Sequence, residues 1–284
     1  MSLRYAVFGH PVAHSRSPHI HAAFAAQVGI DLVYERIDAP PDRFADAVDA
    51  FARDGGRGAN VTLPHKQAAA ALCASVSARA ARAGAVNTLV RTGTDAAPAW
   101  IGDNTDGTGL VRDLRDRHGL VLDDARVLLL GAGGAGAGVA PALLDAGVAR
   151  LVVANRSVDR ARALADHLHD GRVVAAPLDG VDMPDIGAPF DLVVNATSAA
   201  RAGGDPWAAL GRHMAAARAA VDLGYGEAAA PFLAFARRSG VQCRIDGLGM
   251  LVEQAAESFL AWHGVMPATA PVHDDLRAAL GGPP

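Results

Sequence analysis

Apolar and polar positions follow two rhythms along this chain, and the switches between them lay out its elements. Arg4–Gly9 is a short apolar run that predicts a strand, and Pro18–Val28 carries helical spacing. Leu32–Ile37 predicts a second strand and Asp42–Arg53 a helix. Gly58–Thr62 reads as a strand, followed by helices over Lys66–Ala74 and Ser77–Ala83. Strand–helix alternation of this kind implies a mostly parallel α/β sheet. After a break near Gly102–Gly109, a second unit opens at Ala125. Its predicted strands are Arg126–Leu130, Arg150–Asn155, Val173–Ala176, Phe190–Asn195 and Ala219–Asp222, with helices over Gly136–Ala146 and Val158–His169. Met250–His263 and Asp274–Leu280 predict closing helices. The reading is an α/β chain of two domains, without internal repeats.

Composition narrows the functional classes. The chain has 284 residues, 51% apolar and 20% charged, with a net charge of −4. That is a globular composition with no basic stripe for nucleic acid. Cys73 and Cys243 are far apart and match no metal-ligand spacing, which predicts a reducing, cytoplasmic setting. The N-terminal MSLRYAVFGHP has no apolar segment typical of a secretion signal. Val127–Leu144 is uncharged over 18 positions but holds five glycines and Pro141, so a strand, turn and helix are expected there and no membrane span. His14, His19 and His21 cluster without an acidic or cysteine partner at metal spacing, so no metal site is expected.

The clearest chemical signal is VLLLGAGGAGAG, which sets Gly131, Gly133 and Gly136 at GxGxxG spacing between a strand and a helix. The first glycine allows the tight turn, the second lets a pyrophosphate approach the backbone, and the third lets helix and strand pack closely. The next strand ends in LVVANRSVDR, with Asn155 and Arg156 at its tip and Arg160 a turn later. An NAD site usually carries a carboxylate there for the ribose hydroxyls. Two guanidinium groups suit the 2′-phosphate of NADP instead.

Polar residues gather in the other half. HSRSP places Ser15 and Ser17 after a strand and before a helix, where hydroxyls can bond a carboxylate and Ser17 can cap the helix. GANVTLPHK supplies Asn60, Thr62 and Lys66, GAVNT supplies Asn87, and GDNTDG supplies Asp103 and Asp106. Any one of these could simply stabilise a turn. Together GHPVAHSRSP, GANVTLPHK, AGAVNT, GDNTDG, GAGGAGAG, NRSVDR, NATS and DGLGMLVEQA appear in an order and spacing that resembles the shikimate dehydrogenases, over about residues 4 to 275.

The resemblance implies a substrate domain over residues 1–104 plus 248–284 and a Rossmann-type NADP domain over 105–247, with the active site in the cleft between them. It implies reduction of 3-dehydroshikimate to shikimate by a monomer or homodimer. By matching position, Ser15, Ser17 and Tyr225 would serve the substrate carboxylate. Asn60, Thr62, Asn87 and Gln254 would hold ring hydroxyls or line the pocket, and Lys66 with Asp106 would be the catalytic pair. Gly131, Gly133, Gly134, Ala135, Gly136, Asn155, Arg156, Arg160, Thr197, Leu223, Gly247 and Met250 would contact NADP.

Chemistry agrees with the pair. Charge grows on the oxygen of a ketone as hydride arrives, so a cation and proton donor beside it lowers the barrier. Lys66 can supply both while Asp106 orients it; the residues leave open which of the two gives the proton. The chain departs from the family pattern at His10, at Ala199-Ala200-Arg201 and at Gly224. Two rivals stand beside this reading, a quinate/shikimate dehydrogenase using NAD and a silent metabolite sensor.

Overall fold

A computed structural model of the chain describes residues 2–180, 189–197, 207 and 210–282. It divides into two compact units, Met1–Gly109 with Val252–Leu276, and Leu110–Leu251 with Arg277–Pro284. Among the described residues, no helix is long and apolar enough to cross a membrane, and no group of metal-ligating side chains is found.

The first unit is built on strands β1 (Leu3–Gly9), β2 (Leu32–Asp38), β3 (Gly56–Val61), β4 (Ser75–Val76), β5 (Thr88–Gly93) and β6 (Pro98–Asp103). They lie in the order β2-β1-β3-β5-β6-β4. Helices α1 (Ser17–Val28), α2 (Phe44–Arg53), α3 (Lys66–Ala71) and α4 (Ala78–Ala83) connect them, and α5 (Asp106–Arg112) follows β6. β1 pairs parallel with both β2 and β3, but β5 runs antiparallel to β3 and to β6. The β5–β6 hairpin is absent from the periodicity reading. Its turn carries Asp95, Ala96 and Ala97 where a sequence signal for a hairpin would need Asn–Gly or Asp–Gly. Ser77 caps α4 from just outside it, accepting the Ala80 N–H at 3.2 Å.

The C-terminal part of α10 (Leu248–His263) belongs to this unit. Phe259 is fully buried against His21, Phe24 and His263. Trp262 donates its indole N–H to the Leu89 carbonyl at 3.0 Å, crossing the sheet at Gly58. A Cβ at Gly58 would lie 2.4 Å from that indole nitrogen, so this glycine is the seat of the tryptophan.

The second unit is a six-stranded sheet, all parallel. Its strands are β7 (Arg126–Leu130), β8 (Arg150–Asn155), β9 (Val173–Pro177), β10 (Leu192–Asn195), β11 (Ala219–Asp222) and β12 (Cys243–Ile245). The order β12-β11-β10-β7-β8-β9 reverses direction between β7 and β10, the switch point of a Rossmann fold. Helices α6 (Gly134–Asp145), α7 (Val158–Leu168), α8 (Gly211–Ala216) and α9 (Ala230–Arg238) complete it. Leu129, Val139, Leu143 and Val153 anchor one apolar layer; Leu128, Val152, Phe190 and Phe232 anchor the other. The periodicity reading omits α8, α9 and β12; β12 is three residues with an arginine in the middle. In α11 (Ala270–Ala279), Arg277 grips the buried Asp246 carboxylate with two bonds of 2.6 and 2.9 Å.

Deleting the Phe259 ring should open a cavity where α10 meets α1. Phe259→Ala is expected to destabilise the first unit by about 3–5 kcal/mol, read by chemical unfolding.

Candidate active site

The chemistry of the first unit converges on Asp106, the first residue of α5. Its Oδ2 accepts from Lys66 Nζ at 2.6 Å and its Oδ1 from Asn87 Nδ2 at 2.9 Å. Lys66 opens α3 and Asn87 stands directly before β5, so three separate elements deliver these groups. The pair is well sheltered, with 12% of the lysine side chain and 5% of the aspartate exposed. Among the described residues Asp106 is the single hydrogen-bond partner of the Lys66 ammonium, which leaves two N–H groups uncommitted.

Behind the pair lies a closed polar web. Asn87 Nδ2 also reaches Thr105 Oγ1 at 2.9 Å and Gln254 Oε1 at 3.2 Å, and Asn87 Oδ1 accepts from the Thr105 N–H at 2.9 Å. Asn60 Nδ2 donates to Ser258 Oγ at 2.9 Å, and Asn60 Oδ1 accepts from Tyr34 Oη at 2.7 Å and from His21 at 3.2 Å. Thr88 Oγ1 joins the two halves, 2.9 Å from Asn87 Oδ1 and 2.8 Å from Ser258 Oγ. Burial pushes the Tyr34 phenol up and the His21 imidazole down to about 3, with the Asn60 bond opposing and His263 adding to the histidine's fall. Neutral His21 therefore donates Nε2–H to Asn60, while its buried Nδ1 has no hydrogen-bond partner among the described residues.

Ser15 and Ser17 sit where the chain enters α1. The Ser15 hydroxyl is 3.2 Å from that of Ser17 and accepts the Ser17 N–H at 3.3 Å. Ser17 does not cap the helix: Arg16 is the residue at that position, and no side chain bonds the first turn from it. Thr62 follows β3, half-buried, with its methyl against Gly9.

In the second unit the glycine loop leaves β7 with Gly131 at φ 105°. A Cβ on Gly136 would stand 2.1 Å from the Gly131 carbonyl oxygen, so α6 packs as tightly on the loop as glycine allows. Among the described residues nothing lies within 4 Å of the corresponding point on Gly133, which is exposed, and the half-buried Gly134 and Ala135 follow it as the first residues of α6. Asn155 at the end of β8 accepts the Ala132 N–H at 3.2 Å, tying that strand tip to the loop. Arg156 and Arg160 beyond it are exposed and have no ion-pair partner among the described residues. An open backbone turn beside two uncommitted cations fits a phosphorylated dinucleotide.

The ends of β10 and β11 are bonded together. Asn195 Nδ2 donates to Asp222 Oδ2 at 2.7 Å, and Asn195 Oδ1 accepts from Thr197 Oγ1 at 2.6 Å. Asp222 Oδ1 takes the Gly224 N–H at 2.7 Å, and Gly247 N–H bonds the Gly224 carbonyl at 2.7 Å. Burial raises the Asp222 carboxyl to about 6 against the bonds from Asn195 and Gly224, with the Asp246 charge adding to the rise. Leu223 and Tyr225 flank this turn, half-buried, and Met250 is buried in the apolar layer with Leu129 and Val139. Ala199, Ala200 and Arg201 lie outside the described residues.

Sequence reasoning did not single out Thr88, Thr105, Ser258, Tyr34, Asn195 or Asp222, and it weighed His21 only as a metal ligand. One signal lay in spacing, since Ser258 is four residues after Gln254 and so shares its helix face. Another lay in composition. Lys66 is the only lysine in the chain; the other 25 of its 26 Lys and Arg residues are arginines. A chain that otherwise uses arginine keeps a compact, dissociable ammonium at one place, inside this web.

A Rossmann sheet with an open glycine loop, in a chain that also buries an ammonium–carboxylate pair, defines a dinucleotide-dependent oxidoreductase. Residues 7–89 match the shikimate dehydrogenase substrate binding domain, 114–203 the shikimate / quinate 5-dehydrogenase family, and 247–277 the shikimate 5′-dehydrogenase C-terminal domain. The shikimate dehydrogenase (NADP(+)) of Xanthomonas campestris pv. campestris is 60% identical over 277 residues, covering 97% of this chain and 95% of that one. An Ael1 enzyme from Pseudomonas putida is 40% identical with a TM-score of 0.86, covering 97% of this chain and 98% of that one. Shikimate 5-dehydrogenase from Thermus thermophilus, solved with NADP(H) and shikimate, is 36% identical with a TM-score of 0.81, covering 98% and 99%. The chain belongs to the shikimate dehydrogenase family.

His21 gives the first unit an acid limit. Its folded pKa lies below the unfolded value of 6.5, so between about pH 6.5 and 3 the unfolded chain binds the extra proton. Stability is full above that window and falls as pH drops through it, approaching about 1.4 kcal/mol per pH unit. Urea unfolding of wild type and His21→Phe from pH 7 to pH 4 should show this slope in the wild type and a shallower one in the variant, where His65 and His263, also shifted down by burial, remain.

Proposed function

We propose that this chain catalyses the reversible NADPH-dependent reduction of 3-dehydroshikimate to shikimate, a step in the making of aromatic amino acids. The observation that carries the reading is the sheltered Lys66–Asp106 pair at 2.6 Å, with two ammonium N–H groups left over.

When bound, the nicotinamide supplies the hydride that becomes the new C–H bond at the ring carbon. The chain's own task is to handle the charge and the proton at the ring oxygen. Lys66 directs an uncommitted N–H to that oxygen, stabilises the negative charge as it develops, and with Asp106 supplies the proton. Asp106 and Asn87 fix the ammonium before substrate arrives, so little reorganisation is left for the reaction itself. In the reverse direction the same pair accepts the hydroxyl proton. A guanidinium at position 66 would stabilise the charge but could not release a proton, which accounts for lysine here in a chain of arginines.

Ser15 and Ser17, with Tyr225, bind the substrate carboxylate through hydroxyl donors. Thr62, Asn87 and Gln254 line the ring-hydroxyl side, and Asn60, whose amide is fully used by protein partners, stiffens the wall behind them. For the cofactor, Gly133, Gly134 and Ala135 offer backbone N–H groups to the pyrophosphate, supported by Gly131 and Gly136, and Asn155 holds the loop. Arg156 and Arg160 take the 2′-phosphate. Thr197, Leu223, Gly247 and Met250 form the nicotinamide end. The free thiols of Cys73 and Cys243 fit a reducing cytoplasm.

Lys66→Met keeps the stem and removes the donor. It should lower kcat about 10²–10⁴-fold while the KM for shikimate changes little. A near-normal kcat with a raised KM would reduce Lys66 to a binding group.

Cofactor choice should rest on Arg156 and Arg160. One Arg–phosphate contact corresponds to roughly 10–150-fold in affinity, trimmed by exposure and salt. The wild type should prefer NADP over NAD by about 10²-fold, less at high ionic strength, and Arg156→Ala should raise the KM for NADP while leaving NAD kinetics alone. Equal kcat/KM for both cofactors in the wild type would overturn the assignment.

A further inference from the structure

The loop that carries Ser15 and Ser17 is gripped from outside by one face of β2. That strand is the edge of its sheet, and Tyr34, Arg36 and Asp38 alternate along it to the same side. Each meets a different point of the loop. The Tyr34 hydroxyl interacts with that of Ser17 as well as with Asn60. Arg36 donates to the Ser15 carbonyl from Nε at 2.9 Å and from an η nitrogen at 2.7 Å. Asp38 holds His10 Nδ1 at 2.5 Å and takes the Val12 N–H at 3.4 Å.

From these contacts we infer that Arg36 is a positioning residue for substrate carboxylate recognition, acting through Ser15. The inference rests on the assignment of Ser15 and Ser17 to the carboxylate. A loop between a strand and a helix is free to rotate its peptides, and serine hydroxyls bind well only if their direction is set in advance. The Ser15 carbonyl is fixed by two charge-assisted bonds from one planar group. Because the peptide is planar, that also fixes the Arg16 N–H on the opposite side of the chain. The Ser15 hydroxyl is in turn oriented against Ser17. Two donors on one rigid fork hold a carbonyl more narrowly than one ammonium can, so lysine is not an equivalent at position 36. His10 with Asp38 closes the other end of the loop. These bonds are solvent-exposed, so their contribution lies in the geometry of the loop more than in the stability of the fold.

The experiment compares shikimate with its methyl ester, which lacks the carboxylate charge, in wild type, Arg36→Ala, Arg36→Lys and the Ser15→Ala/Ser17→Ala double variant. The readout is the ratio of kcat/KM for acid over ester, which general destabilisation leaves unchanged. In Arg36→Ala this ratio should fall about tenfold through the KM for shikimate, with the KM for NADP constant, and Arg36→Lys should recover only part of it. An unchanged ratio in Arg36→Ala beside a reduced one in the double serine variant overturns the role of Arg36. Full recovery by Arg36→Lys overturns it as well, since charge alone would then suffice. An unchanged ratio in the double serine variant overturns the carboxylate assignment itself. Should Arg36→Ala fail to fold, Asp38→Ala releases the same loop from its other end and is judged by the same ratio.

Discussion

A carboxylate inside a protein is tolerable only when both of its oxygens are answered, and Asp106 sets that condition for the first unit. Lys66 answers one oxygen and Asn87 the other. Asn87 must then be satisfied in turn, which requires Thr105, Thr88 and Gln254, and through Ser258 the requirement passes to Asn60, Tyr34 and His21. Apart from the half-buried Lys66 and Tyr34 its members are buried, so a missing partner among them would leave a polar group sheltered from water. The web is therefore built whole, and the two ammonium hydrogens facing away from it are the part left for chemistry.

Much of this was legible in the residues. The parallel sheet of the second unit follows from apolar strands bounded by glycine turns, and the GxGxxG loop lies where its spacing places it. Lys66, Asp106, Asn87 and Gln254 share one hydrogen-bonded cluster, although they are separated by up to 188 positions along the chain. Local periodicity could not give the β5–β6 hairpin, because Thr94–Ala97 carries no Asn–Gly or Asp–Gly step to announce one. Nor could it give the partners behind the site. A buried threonine or serine has no signature of its own in sequence, since its hydroxyl is recruited by whatever packs opposite. The capping role read for Ser17 fails for a related reason: a serine before Pro18 can enter the helix as readily as precede it, and here it enters.

The two sites are held by different physics. Around Lys66 the charges are sheltered and paired with each other, so their interaction is strong and its direction fixed. Around Arg156 and Arg160 the charges are wet and waiting, so attraction depends on ionic strength and the groups can swing. The first arrangement suits a reacting centre, where misplacement by an ångström is costly. The second suits the recognition of a phosphate that must also leave after each turnover.

The chain route through the first unit has a consequence for how the protein is made. The layer that closes over Tyr5, His21 and Phe24 comes from Phe259 and Trp262, more than two hundred residues later. During synthesis the early strands and α1 must wait with that face uncovered while the whole intervening Rossmann segment is translated. The segment Leu110–Leu251 is nearly continuous in sequence and can begin to collapse as it emerges, so the later-made unit is the earlier one to approach completion. An N-terminal fragment ending before α10 would carry Lys66 and Asp106, lack Gln254 and Met250, and still expose an aromatic surface prone to aggregation.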